Sequence, residues 1–188
     1  MKQKIRISID TETGGTNPLD FDCLSIGYVV VKGSNLKILE KNEILIKGKR
    51  SRCTSQALSV NKIDLKEHNK KALTKKQAVC KFQKVIEKYF DDDKIYLVGQ
   101  NVSFDISFIS KLFSDVNKTF VYSHSIVDLM YCWRCLQLIG IVKTKSAGLD
   151  EILDYCKIRS NGARHSAIID AENVVKVLRF LKKRFLKF

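Results

Sequence analysis

The chain opens with alternation. Ile5-Arg6-Ile7-Ser8-Ile9 sets apolar and polar side chains in turn and ends at Asp10, the pattern of a strand with one face on a core. Residues 13–22 read as a loop, with Gly14-Gly15, Asn17-Pro18 and two acids. An apolar, β-branched run over 24–31 and an alternating run over 36–46 are joined by Gly33-Ser34-Asn35, which predicts a hairpin. Residues 48–71 are polar and irregular, with a short helical piece at 57–60. Thr74 is the expected N-cap of a helix reaching about Phe90, because Ala78, Phe82, Val85, Ile86 and Phe90 recur at helical spacing. Beyond it the pattern predicts a buried strand at 96–99, a helix over 105–113 capped by Ser103, and a strand at 120–122. A mostly helical segment over 126–141, a helix over 149–156 behind Gly148, and a long final helix over 165–185 complete the chain.

Strands therefore come first, and helices then alternate with short strands. No internal repeat and no linker rich in Pro, Gly or Ser divides the sequence. The expectation is one α/β domain over residues 1–188, with a mixed central sheet and helices on both faces. A chain of 188 residues is long enough to bury a core without staples.

Charge narrows the function. Lys and Arg number 34 against 20 Asp and Glu, a net +14. Basic residues gather over 37–52, and again from Lys176 through Arg179, Lys182, Lys183 and Arg184 to Lys187. A positive field of this size favours a polyanion, most often nucleic acid. No apolar run is long enough to span a membrane, and no apolar stretch follows Met1-Lys2-Gln3-Lys4, so the reading is a cytoplasmic protein without a membrane partner. Cys23, Cys80 and Cys156 sit in apolar patterns and read as core residues, whereas Cys53 follows basic residues and reads as exposed. Cys132 and Cys135 form a C-x-x-C with no second ligand pair, too few for a zinc site.

The candidate chemistry is acidic. Asp10 and Glu12 stand two apart at the end of the first strand, so extended backbone sends both carboxylates to one side. Such a pair repels unless cations hold it. Gly14 and Gly15 just after it would let a ligand approach the backbone closely. Asn101-Val102-Ser103-Phe104-Asp105 forms a second strand-to-helix junction with an acid, and Phe104 and Phe108 are its helix-packing or substrate-stacking rings. Asp170 interrupts small and apolar residues on the final helix, and His165 lies at that helix's entrance. Four carboxylates with one histidine suit two Mg²⁺ or Mn²⁺ ions and a general base. Hard cations inside a cationic chain point to phosphoryl transfer on nucleic acid.

At these residues the sequence resembles the DEDDh 3′–5′ exonucleases, a DnaQ-like family that includes the proofreading subunit of bacterial DNA polymerase III, ribonuclease T and oligoribonuclease. The first motif matches as Ile9-Asp10-Thr11-Glu12-Thr13-Gly14, the second as Asn101 through Phe108, the third as His165-Ser166-Ala167-Ile168-Ile169-Asp170-Ala171. Weaker echoes are Ile26-Gly27, Val127-Asp128-Leu129 and residues 149–158. The resemblance implies a ribonuclease H-like fold with a five-stranded mixed sheet. It implies that Asp10, Glu12 and Asp170 hold one metal ion, that Asp10 and Asp105 serve a second, and that His165 takes the proton from the attacking water. Thr11, Thr13, Asn101, Phe104 and Phe108 are the implied substrate contacts. The implied substrate is nucleic acid with a free 3′ end, single-stranded, DNA or RNA. The family also admits homodimers, and proofreading subunits that bind a polymerase. A module that kept the fold and lost the chemistry is the alternative outside enzymes, but all four acids and the histidine are present. Departures are Ser25, where the family often carries Glu or Gln, Gln100, where it often carries His, and the absence of a histidine in 57–63.

Overall fold

A computed structural model describes residues 4–90, 94–160 and 166–185. Three strands form an antiparallel meander: β1 (Ile5–Thr13), β2 (Cys23–Lys32) and β3 (Lys37–Leu45). Two short strands, β4 (Leu97–Gly99) and β5 (Val127–Asp128), run parallel to β1. The order across the sheet is β3-β2-β1-β4-β5, the five-stranded mixed arrangement expected. β1 continues to Thr13, past the expected end, because Asp10 to Thr13 still pair with β2 although their side chains no longer alternate apolar with polar.

Helices cover both faces. α1 (Ser55–Val60) is capped by the Thr54 hydroxyl and α2 (Leu65–Lys71) by the Asp64 carboxylate. α2 escaped the sequence pattern because Leu65 is its one apolar residue, leaving no periodicity to read. α3 (Lys75–Tyr89) begins at Thr74 as predicted, in a reciprocal capping box with Gln77. α4 (Val102–Ser114) does not use Ser103 as its cap; Asn101 holds that position in a left-handed conformation, φ 54°. α5 (Leu129–Leu138) is shorter than the expected 126–141 segment, because Val127 and Asp128 are taken up by β5, with Asp128 also capping α5. α6 (Leu149–Cys156) and α7 (Ala167–Phe185) follow. The candidate strand at 120–122 contributes a single bridge, Tyr122 to Ile95.

β2 explains the layering. Its residues from Cys23 to Val31 are all buried, because alternate side chains face opposite layers. Ile26, Tyr28 and Val30 join Ile7 and Ile9 of β1 in a core with Phe82 of α3 and Ile109 of α4. Val29 and Val31 pack against Ala171 and Val175 of α7. Trp133 of α5, Ile152 of α6 and Val174 of α7 extend that second layer beside β4. β3 is an edge strand with a largely polar, alternating surface, Lys37 and Lys41 among its exposed residues. Two cysteine expectations are reversed: Cys53 is buried, its sulfur close beside Gly14, and Cys80 lies exposed on α3. No described helix is long and apolar enough to cross a membrane.

The sheet and α7 approach each other closely at Gly27. A Cβ built there would stand 2.0 Å from the Ala167 carbonyl carbon and 2.2 Å from the Ile168 nitrogen. Backbone cannot yield as a side-chain tip can, so Gly27→Ala must push the start of α7 off the sheet. We expect a loss of at least about 1–3 kcal/mol, the usual cost of overpacking. For a chain of this size that is roughly 2–4 °C in Tm per kcal/mol, read by thermal melting against wild type.

Candidate active site

β1 works as a two-sided strand. Its even residues face α7: the Ser8 hydroxyl donates to the Ala171 carbonyl at 2.9 Å, and Gly27, the partner of Asp10 on β2, lies under Ala167. Asp10 and Glu12 continue that row, so the strand's own period delivers both carboxylates to the start of α7. Asp170 meets them there. Oxygens of Asp10, Glu12 and Asp170 lie within 4.8 Å of one another. The Ser8 bond to Ala171 fixes the residue next to Asp170, which sets the height of that carboxylate over the sheet.

The odd side of β1 faces α4. Thr11, buried, donates its hydroxyl to Asp105 Oδ1 at 2.7 Å. Asp105 is 3 % exposed, in the first turn of α4, and stands outside the three-carboxylate cluster. Its charge nevertheless reaches Asp10, so the expected fourth acid borders the same space. A fifth, Glu43 on β3, escaped the sequence reading because it sits among alternating polar residues of an edge strand. It pairs with Gly27 in the row that holds Asp10 and accepts a hydrogen bond from the Ser25 hydroxyl at 2.9 Å.

The electrostatic outcome is strong. Loss of water on burial, then Asp105, Asp170, Glu12 and Glu43, raise the Asp10 pKa well above the ordinary aspartate value. Glu12 is pushed up to about 8, first by burial and then by Asp170, Glu43 and Asp105. Asp105 rises to about 7, chiefly by burial, with the Thr11 hydroxyl pulling the other way. Carboxylates that so resist ionisation beside one another, with oxygen as their only donor, fit a hard divalent cation.

A cavity of about 360 Å³ adjoins the acids. Thr13 and Phe104, neighbours in sequence of Glu12 and Asp105, line it together with Phe21, Ala57, Val60 and Asn61. Asn61 Nδ2 donates to the Thr13 carbonyl at 3.0 Å, tying the end of α1 to the end of β1. The two rings of the second motif divide: Phe104 borders the cavity, while Phe108 is 1 % exposed in the core and packs against it, ring centres 4.9 Å apart. Thr13 is buried, its hydroxyl donating to the Gly15 carbonyl, and Asn101 is exposed at the head of α4. Gly14 and Gly15 serve the chain itself: a Cβ on Gly14 would meet the Arg52 carbonyl oxygen at 2.3 Å, and one on Gly15 would strike the Phe21 ring. That loop is anchored by buried Asp22, which takes hydrogen bonds from the Lys49 amide, Arg52 and Lys75. Gln100 donates to the Ala147 carbonyl. His165 lies outside the described residues.

Comparison with known proteins bears on the family and the fold. A family model described as Exonuclease, RNase T, matches residues 7–178. Among solved structures, E. coli exonuclease I in complex with a dA16 oligonucleotide is similar with a TM-score of 0.79 at 15 % identity, over 98 % of this chain and 42 % of that one. The zinc-bound form of the E. coli exonuclease I–ssDNA complex gives 0.79 at 16 % identity, over 99 % and 42 %. Cell-death related nuclease 4 gives 0.77 at 16 % identity, over 96 % and 64 %. The chain thus spans less than half the length of the exonuclease I chains. By sequence, no curated protein matches it.

Raised carboxylate pKa values fix the sign of a stability effect. Below the ordinary carboxylate range both folded and unfolded chains hold these protons. As pH rises, the unfolded chain releases them first, while folded Asp105 and Glu12 keep theirs to about 7 and about 8. Stability must therefore fall across this window as pH rises. In EDTA we expect Tm to drop by several degrees from pH 5.5 to 9, and Asp10→Asn to flatten that slope and raise Tm at pH 9. Melting curves of both proteins across pH, with and without Mn²⁺, check it; the ion should stabilise wild type most at high pH.

Proposed function

Because the chain belongs to the RNase T exonuclease family, we propose that it is a metal-dependent 3′–5′ exonuclease that releases nucleoside monophosphates from the 3′ end of single-stranded DNA or RNA in the cytoplasm. The observation that carries this reading is the meeting of Asp10, Glu12 and Asp170 within 4.8 Å, beside Asp105. Asp10, Glu12 and Asp170 would hold one Mg²⁺ or Mn²⁺, and Asp10 with Asp105 a second. When bound, such ions supply charge neutralisation at the scissile phosphate and lower the pKa of the attacking water.

The chain's own residues do the rest. With the carboxylates committed to cations, the His165 imidazole is the acceptor for the water's proton; this assignment rests on the third motif alone. Phe104 offers a face for the terminal base in the cavity, backed by Phe108. The backbone at Thr11 and Thr13 and the exposed Asn101 flank the terminal nucleotide. The net charge of +14 holds the polyanion.

Digestion of 3′- and 5′-labelled DNA and RNA oligomers, with Mg²⁺, Mn²⁺ or excess EDTA, tests reaction, polarity and sugar together. We expect stepwise loss from the 3′ end, abolished by EDTA and by Asp10→Asn. Complete hydrolysis in EDTA by metal-free protein would overturn the reading.

His165→Ala should lower the single-turnover rate roughly 10²–10⁴-fold, the usual worth of a general base. Substrate affinity should change far less. Rates near wild type with an unchanged acidic limb of the pH profile would remove His165 from the chemistry.

A further inference from the structure

α4 carries Asp105 in its first turn but brings no cap of its own. Asn101, at the N-cap, makes no side-chain bond to the helix, and its left-handed backbone turns the chain abruptly out of β4. Ser103, the residue whose chemistry suits a cap, lies inside the helix. The first amides of a helix have no partners within it, and left buried they are costly. Here the partner comes from the strand beside β4. Asp128, at the end of β5 and 9 % exposed, accepts from the Asn101 amide at 3.0 Å through Oδ1 and from the Val102 amide at 2.9 Å through Oδ2. The same carboxylate caps its own helix, taking the Met130 amide at 2.9 Å. One side chain thus closes the N-termini of two helices, and both helix dipoles favour a negative charge between them.

We propose that Asp128 is the positioning residue for Asp105: by capping α4 from β5 it fixes the height and rotation of the turn that presents the Asp105 carboxylate. Asp105 is then held from two directions. Thr11 grips its Oδ1 from β1, and Asp128 anchors the start of its helix from β5. The arrangement has a cost that argues for a purpose, since the Asp128 charge raises the Asp105 pKa. A serine at 128 could cap α5 and avoid that repulsion. With a single oxygen it could not also hold the Val102 amide, which Oδ2 takes while Oδ1 serves both Asn101 and Met130.

This inference rests on the exonuclease reading for its metal, but its test does not depend on nuclease activity. Asp128→Ser keeps an N-cap for α5 and drops the grip on α4. Asp128→Asn keeps one acceptor oxygen and sets an amide nitrogen, which cannot accept, in place of the other. Three quantities are measured on the whole chain: hydrogen exchange of the peptide covering 100–104, Mn²⁺ affinity by calorimetry, and single-turnover rate beside substrate affinity. In Asp128→Ser we expect exchange at 101 and 102 to quicken about tenfold, as for the loss of a charge-assisted hydrogen bond. Mn²⁺ affinity and rate should fall about 10–100-fold, the usual range for residues that orient a ligand, with substrate affinity changed less than the rate. Asp128→Asn should fall between the two, and it carries the same reading if the serine variant does not fold. Mn²⁺ affinity equal to wild type in a folded variant would overturn the proposal. Absence of nuclease activity in wild type itself would overturn the exonuclease reading while exchange and calorimetry still decide the role of Asp128.

Discussion

Carboxyl groups forced together organise this molecule. Asp10, Glu12 and Asp170 share a space less than 5 Å across, with Asp105 and Glu43 close enough to be felt. Repulsion alone would spread them. They stay because each is fastened to the fold: two to the central strand, one to a helix seated on bare backbone at Gly27, one to a helix pinned by Thr11 and Asp128, and one to β3 paired with β2. The fold holds these groups in an unfavourable arrangement of the kind that a divalent cation relieves.

Strand parity makes this economical. In β1, consecutive residues serve different layers: Asp10 faces α7, Thr11 reaches α4, Glu12 faces α7 again. A single nine-residue element therefore supplies two carboxylates of the cluster and the hydroxyl that holds a third acid beside it. Period two, an elementary feature of extended backbone, does the work that would otherwise need several loops.

Much of this was legible in the sequence. Alternation marked β1, the hairpin of β2 and β3 followed from its turn, and helical spacing with Thr74 announced α3. The acids at 10, 12, 105 and 170 stood out because each sat at a junction or broke an apolar pattern. What stayed hidden depends on distance through space. Asp128 looks like an ordinary cap for α5, and nothing in its neighbours tells that it also reaches Asn101 and Val102 from the adjoining strand. Glu43 is one polar residue among many on an edge strand until Ser25 aims it inward. α2 lacks the apolar residues that periodicity requires, and its Asp64 cap was its one local sign. Cys53 reads as exposed from its basic neighbours, yet the turn around Gly14 buries it.

The partnership of Asp10 with Asp170 also has a consequence in time. One belongs to the first strand and the other to α7, at opposite ends of the described chain, and Ser8 joins Ala171 over the same span. Contacts so remote in sequence form late, because the loop between them must close first. During synthesis the sheet and α3 can assemble while residues 167–185 are still inside the ribosome, and the cluster then lacks one of its three carboxylates. A nascent chain would thus carry an incomplete cluster until α7 docks.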